Sequence, residues 1–197
     1  MQQQRLSVQQ YWIMHLILLT VMIGLLQWVP EYFQYDRSLV LTQPWRLITA
    51  HLVHLNPLHL MFNIVALWGL FFLFEPPRFS WFYSAGLIAG ISIGLYIHLA
   101  LPEYAYYRGL SGVLHGWYLG CAWWAMHSDH RMTRLFGSLI IVMLLVKMCA
   151  EAYGLNVSTR QILQIDVLWQ AHLIGALTVM GFTFLWQGGA QIVKKGV

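Results

Sequence analysis

A serine set between glycines, in GLSGVLHG at 109–116, is the first place where this sequence could do chemistry. Serine attacks a carbonyl when a base takes its proton and hydrogen-bond donors receive the oxyanion that follows. Candidates for both partners stand elsewhere in the chain. WQAHLIGAL carries His172, and HLVHLNPLHLMFN carries His59 and Asn63, whose side chains can donate hydrogen bonds. Ser111 and His115 are four residues apart, as are His59 and Asn63, so within a helix each pair shares a face. Lys147 and Glu151 form a further i, i+4 pair. They read either as a mutual ion pair with the lysine reaching outward, or as residues bordering a substrate entrance. GxSG alone is equally a packing element, since small residues and serines are common where membrane helices touch. The histidine and asparagine clusters point beyond packing.

The elements that must position these residues follow from composition. Of 197 residues, 59% are hydrophobic and 9% charged, and the mean hydropathy is +0.60, values of a chain dissolved in lipid. A helix needs ~20 apolar residues to cross a ~30 Å hydrocarbon core. Six stretches approach that size, at 11–30, 57–74, 81–101, 111–126, 135–153 and 168–186. The expected fold is an all-α integral membrane protein, a compact six-transmembrane-helix bundle forming one domain over residues 1–197. The longest connection is 31–56, and no repeat or linker interrupts the chain. The first span has a long apolar run, one flanking arginine and no small-x-small site, so it is expected to stay as an anchor. Cys121 and Cys149 fall inside spans with no disulfide or metal spacing, and read as small buried hydrophobes.

Lys and Arg counts in the short flanks orient the bundle. With the amino terminus inside, the inner side carries Arg5, Arg78, Arg131, Arg134, Lys194 and Lys195 against Glu75 and Asp129. The outer side carries Arg37, Arg46, Arg108 and Arg160 against Glu31, Asp36, Glu103 and Asp166. Both termini are then cytoplasmic. The basic pI of about 9.2 reflects this topology, and no patch argues for nucleic acid.

In this frame the candidates share a depth. The fourth span starts at the outer face with Ser111, where unpaired N–H groups and the helix dipole favour negative charge. His172 lies about one turn inside the outer end of the sixth span, and a histidine there needs a partner or a wet cavity. Asn56 followed by Pro57 is an N-cap signal that starts the second span at the outer face. That puts His59 in its first turn and Asn63 one turn deeper. His51 and His54 precede it, as caps of the outer loop. Gly112, Gly116 and Gly120 form a smooth stripe for close helix packing, as do Gly86, Gly90 and Gly94 in the third span.

WR at 45–46, HxxxxHxxxN from His54 through His59 to Asn63, GxSG at 109–112 and AHxxG at 171–175 occur in one order. With these motifs the chain resembles the rhomboid family of intramembrane serine proteases. The resemblance implies Ser111 as nucleophile and His172 as general base, a dyad with no carboxylate. It implies an oxyanion hole of His59, Asn63 and the Ser111 amide, and a structural role for the outer-loop motif residues Trp45, Arg46 and His54. It implies neither metal nor organic cofactor. Rhomboids usually place tyrosine four residues after the serine, stacked on the catalytic histidine, where this chain has His115. That imidazole is expected against His172 as a supporting residue, stacked on it or hydrogen-bonded to it. The short layout and the wording GLSGVLHG are similar to the rhombosortase branch. Its substrates are bacterial surface or secreted proteins ending in a GlyGly-CTERM signal: a glycine-rich motif, one membrane helix and a basic tail. The localisation implied is the bacterial inner membrane, with the site open to the periplasm.

Two other functions are weighed. Nine histidines could serve a haem or metal protein, but their spacing matches no ligand motif. A catalytically silent rhomboid relative acting as a binding protein or chaperone would have lost the serine or the histidine, and this chain keeps both.

Overall fold

In the computed structural model the described residues are 7–74, 76, 78–155, 161–162 and 164–195, with side chains described up to 187 in the last helix. Arg5, Glu75 and Arg160, and the side chains of Lys194 and Lys195, all counted for the orientation, lie outside this description.

The first long helix, α1 (Val8–Leu26), begins at a capping box. The Gln10 amide donates to Ser7 Oγ at 3.3 Å, and the Ser7 amide donates to Gln10 Oε1 at 2.7 Å. This places its start three residues before the expected residue 11. It ends at Leu26 and not at 30, because Pro30 forces the residue before it out of helical conformation and opens a separate short helix, α2 (Pro30–Phe33). Strand β1 (Tyr35–Asp36) follows, then α3 (Arg46–Thr49) running into a 3-10 turn at Ala50–Leu52. The connection 31–56 is thus more structured than a polar loop, because Arg46 organises it from inside. Its guanidinium is buried and donates to Gln43 Oε1 at 2.7 Å and to the carbonyls of Glu31 and Gln34 at 2.8 Å. Trp45 beside it is half exposed.

Among the described residues, five further long helices and one strand follow. They are α4 (Pro57–Leu73), α5 (Phe79–Ala100), β2 (Tyr106–Tyr107), α6 (Ser111–Met126), α7 (Arg131–Ala152) and α8 (Trp169–Lys195). Among the described residues six long helices overlap the six expected stretches, although fewer of them meet the length and apolarity of a membrane span. The last runs nine residues past the expected end at 186, with no proline to stop it. By length and apolarity alone three of them could cross a membrane: α1, α5 and α7. The α3 segment and α4, bent by 91° to one another, could make a fourth. Cys121 is buried as expected, whereas Cys149 is exposed, because α7 packs only part of its circumference.

Two features assemble the end of the molecule where the candidates lie. β1 pairs antiparallel with β2, Tyr35 opposite Tyr107, and so ties the first long loop to the approach to α6. Arg37 reaches from that loop to the last turn of α5, where its guanidinium donates to the carbonyls of Ile97, His98, Leu101 and Tyr104. Carbonyls at a helix end lack partners further along the helix, so the cation both caps α5 and neutralises the negative end of its dipole.

The contact of α6 with α8 is backbone on backbone. A Cβ on Gly175 would lie 2.1 Å from the Gly112 carbonyl oxygen, one on Gly112 2.7 Å from that of Ala171, and one on Gly116 2.5 Å from that of Gly175. Side chains there would hold the helices apart, and His172 away from Ser111. The α5 stripe serves a different purpose. Gly94 and Gly90 receive Leu47 and His51 from the connection between α2 and α4, and Gly86 receives the Trp117 ring.

Candidate active site

Ser111 is the first residue of α6, and its hydroxyl is not used as a cap. The turn that delivers it depends on Gly109, whose φ of +138° suits glycine and whose missing side chain admits His59; a Cβ there would stand 2.8 Å from His59 Cε1. The turn is pinned from three sides. The Gly109 amide donates to the Ala50 carbonyl at 3.0 Å. The Tyr107 hydroxyl donates to the Gly109 carbonyl at 3.1 Å, and His51 lies between the carbonyls of Gly109 and Gly90, 3.1 Å from each. His51 thus acts on the serine turn and not only on its own loop.

His172, in the first turn of α8, is buried and holds its Nε2 2.9 Å from Ser111 Oγ. Its other ring nitrogen, Nδ1, lies 2.7 Å from Glu151 Oε2. A carboxylate only accepts, so Nδ1 carries the proton, and Nε2 is left with a lone pair for the serine O–H. The expected serine–histidine pair is therefore flanked by a carboxylate, where the resemblance implies a dyad with none. Glu151, in the last turn of α7, is buried and its other oxygen is paired with Lys147 Nζ. The two residues expected either to pair with each other or to border an entrance do pair, and both line the same cavity as Ser111 and His172. What sequence reasoning missed is the contact of Glu151 with His172. Its signal was present: an acidic residue inside an apolar helical run needs a donor.

His115 stacks on His172, ring centroids 4.0 Å apart and planes 13° apart, the first of the two arrangements expected for it. Its Nδ1 donates to the Ser111 carbonyl at 2.7 Å, and its Nε2 lies 3.1 Å from Lys147 Nζ.

A cavity of about 480 Å³ opens over these groups and is also lined by His59 and Asn63. Asn56 Oδ1 accepts from the His59 amide at 2.8 Å, the N-cap that the sequence predicts. Asn63 donates one N–H to the His59 carbonyl at 2.8 Å, which fixes its amide along the helix. His54 is buried edge-on to His59, centroids 5.0 Å apart, and neither of its ring nitrogens has a partner among the described residues.

Ligand atoms of His115, Glu151 and His172 lie within 4.8 Å of one another, close enough to hold a metal ion. The Lys147 ammonium already sits against His115 and Glu151 there, and a second cation would have to displace it. The arrangement as it stands suits proton transfer from a serine hydroxyl to an imidazole.

Comparison with curated protein sequences returns no match. The Rhomboid domain pattern, in contrast, matches residues 41–188. That interval takes in every residue of the cavity constellation and well over half of the sequence, and on this ground the chain belongs to the rhomboid family.

Proposed function

We propose that the protein is an intramembrane serine endopeptidase with Ser111 as nucleophile and His172 as general base. Rhomboid-family proteins are in general proteases that act on membrane-protein substrates within the bilayer. The observation that carries the reading is the 2.9 Å approach of His172 Nε2 to Ser111 Oγ at the edge of a cavity that also contains His59 and Asn63. In the first step Oγ attacks the scissile carbonyl carbon while its proton passes to Nε2. The carbonyl oxygen becomes an oxyanion, facing the Ser111 amide, which has no acceptor within its helix, and the side chains of His59 and Asn63. The imidazolium then gives its proton to the leaving amine and the C–N bond breaks. A water, losing its proton to the same nitrogen, hydrolyses the acyl-serine.

The working topology has six spans with both termini cytoplasmic, in the bacterial inner membrane, and the cavity facing the periplasm. Substrates are membrane-anchored proteins entering sideways from lipid, and a GlyGly-CTERM tail fits the chemistry best. A membrane helix shields its own carbonyls, so a glycine pair beside the span supplies the unwound backbone that attack requires. The cavity suits an apolar segment, since Phe62, Leu114, Tyr118 and Leu144 line it beside the polar groups.

The test is co-expression with a single-span reporter carrying a Gly-Gly pair at the outer end of its helix and a basic tail. Wild type is expected to cleave it. Ser111→Ala and His172→Ala should each abolish cleavage at normal membrane abundance, and the double variant should be no worse, since nucleophile and base act as a unit. A fluorophosphonate probe should label wild type and not Ser111→Ala. Cleavage by either single variant rejects the serine mechanism, and a wild type that neither cleaves the reporter nor takes the probe is a silent binding relative.

A further inference from the structure

We propose that Glu151 is the positioning residue of His172, and that Lys147 and His115 hold it in a hydrogen-bonded ring that begins and ends on Ser111. The proposal rests on the serine-protease reading and goes beyond the two-residue site that reading requires.

The ring can be followed atom by atom. The Ser111 hydroxyl donates to His172 Nε2, and His172 Nδ1–H donates to Glu151 Oε2. Glu151 Oε1 accepts from Lys147 Nζ, which also donates to His115 Nε2. His115 Nδ1–H donates to the carbonyl of Ser111 itself. Every proton position is forced by its partners. A backbone carbonyl only accepts, so His115 must be protonated on Nδ1; an ammonium only donates, so His115 Nε2 must be the lone pair. The carboxylate likewise fixes Nδ1–H on His172 and leaves Nε2 basic toward the serine. No member can change tautomer without breaking a bond to its neighbour, and the stacked rings hold the two imidazoles in register.

The electrostatics suit catalysis for a further reason. When Ser111 attacks, His172 becomes an imidazolium, and the carboxylate already hydrogen-bonded to Nδ1–H offsets the new charge without reorganisation. A bare carboxylate buried this deeply is costly, and the Lys147 ammonium compensates it. Lys147 is the exposed end of the ring, with 46% of its side chain accessible, so it can supply charge to the site while remaining partly solvated.

These roles separate experimentally, because Lys147 compensates Glu151 whereas Glu151 acts on His172. Cleavage of the Gly-Gly reporter is measured as kcat and KM in detergent, beside thermal unfolding and fluorophosphonate labelling. Glu151→Gln keeps the shape but no longer holds the tautomer by charge. It is expected to lower kcat about 10²–10⁴-fold with KM little changed. Glu151→Asp, with the carboxylate set back by one methylene, is expected to recover part of that loss. Lys147→Met alone leaves the carboxylate uncompensated and is expected to lower the unfolding temperature. The double variant Lys147→Met/Glu151→Gln removes both charges, so it should regain thermal stability while kcat stays as low as in Glu151→Gln. If Glu151→Gln does not accumulate in membranes, the double variant decides. Wild-type kcat in Glu151→Gln, or return of kcat with stability in the double variant, overturns the proposal and leaves the carboxylate a packing element. Ser111→Ala, run in parallel, keeps the two readings apart. If it is inactive while Glu151→Gln is fully active, only the carboxylate role is lost; if it cleaves, the serine mechanism falls as well.

Discussion

His59 keeps one ring nitrogen, Nδ1, buried and without a hydrogen-bond partner among the described residues. Buried polar atoms in native proteins are nearly always paired, and this one is closed off from the cavity as well, so it is not the atom that could receive a substrate oxygen. In the proposed mechanism the oxyanion therefore meets the other ring nitrogen, Nε2, on the side of His59 that lines the cavity. Asn63 is prepared in a complementary way. Its amide has two N–H groups, one spent on the His59 carbonyl, which fixes the direction of the other. Removal of a single oxyanion donor typically lowers kcat by ~10²–10³-fold. His59→Ala and Asn63→Ala are each expected to fall in that range while still reacting with a fluorophosphonate, since the Ser111 amide and the base remain. Wild-type reporter kinetics in both variants would reduce the pair to packing of α4.

At the scale of elements, the separation of Ser111 from His172 is set by the glycine contact of α6 with α8. Gly175 is its tightest point, where a Cβ would meet the backbone of Gly112 and not the yielding end of a side chain. Gly175→Ala must therefore push the helices apart. Overpacking of this kind costs roughly 1–3 kcal/mol, and a displacement of ~1 Å at the chemistry can cost ~10²-fold in rate. Both a lower unfolding temperature in detergent and reduced reporter cleavage are expected. Gly24, on α1, is the control, since a Cβ added there would meet nothing within 4 Å among the described residues. Gly24→Ala should change neither measurement. Equal loss in the two variants would show that the α6–α8 contact has no special part in holding the site.

At the scale of the molecule, the proposed topology puts the amino-terminal ends of α4, α6 and α8 and the carboxyl-terminal end of α7 at one surface, the periplasmic one. Alkaline phosphatase fused after Glu103 should be active, and fused after Asp129 inactive; the reverse pattern would invert the bundle. The sequence determined a good deal of this molecule by itself. Helix positions were legible because apolar runs, Asn56-Pro57 and the glycine stripes act through short-range backbone chemistry. The serine, the histidines and the asparagine stood out as candidates because the proposed acyl transfer needs those side chains and the motifs keep their local spacing, and they line one cavity. What only the tertiary structure decided was which face of α7 turns inward. Lys147 and Glu151 share a helix face in any reading, and their mutual ion pair is a local fact that i, i+4 spacing predicts. Whether that face meets lipid, a substrate or His172 depends on how α7 is rotated against α6 and α8. That rotation comes from side-chain packing among residues far apart in sequence, together with the need of a buried carboxylate for donors. The same holds for Arg37 on the end of α5 and for His51 under the Gly109 turn. In each case a polar group in a loop found its partner across the fold, because the unsatisfied backbone atoms within its reach belonged to another element.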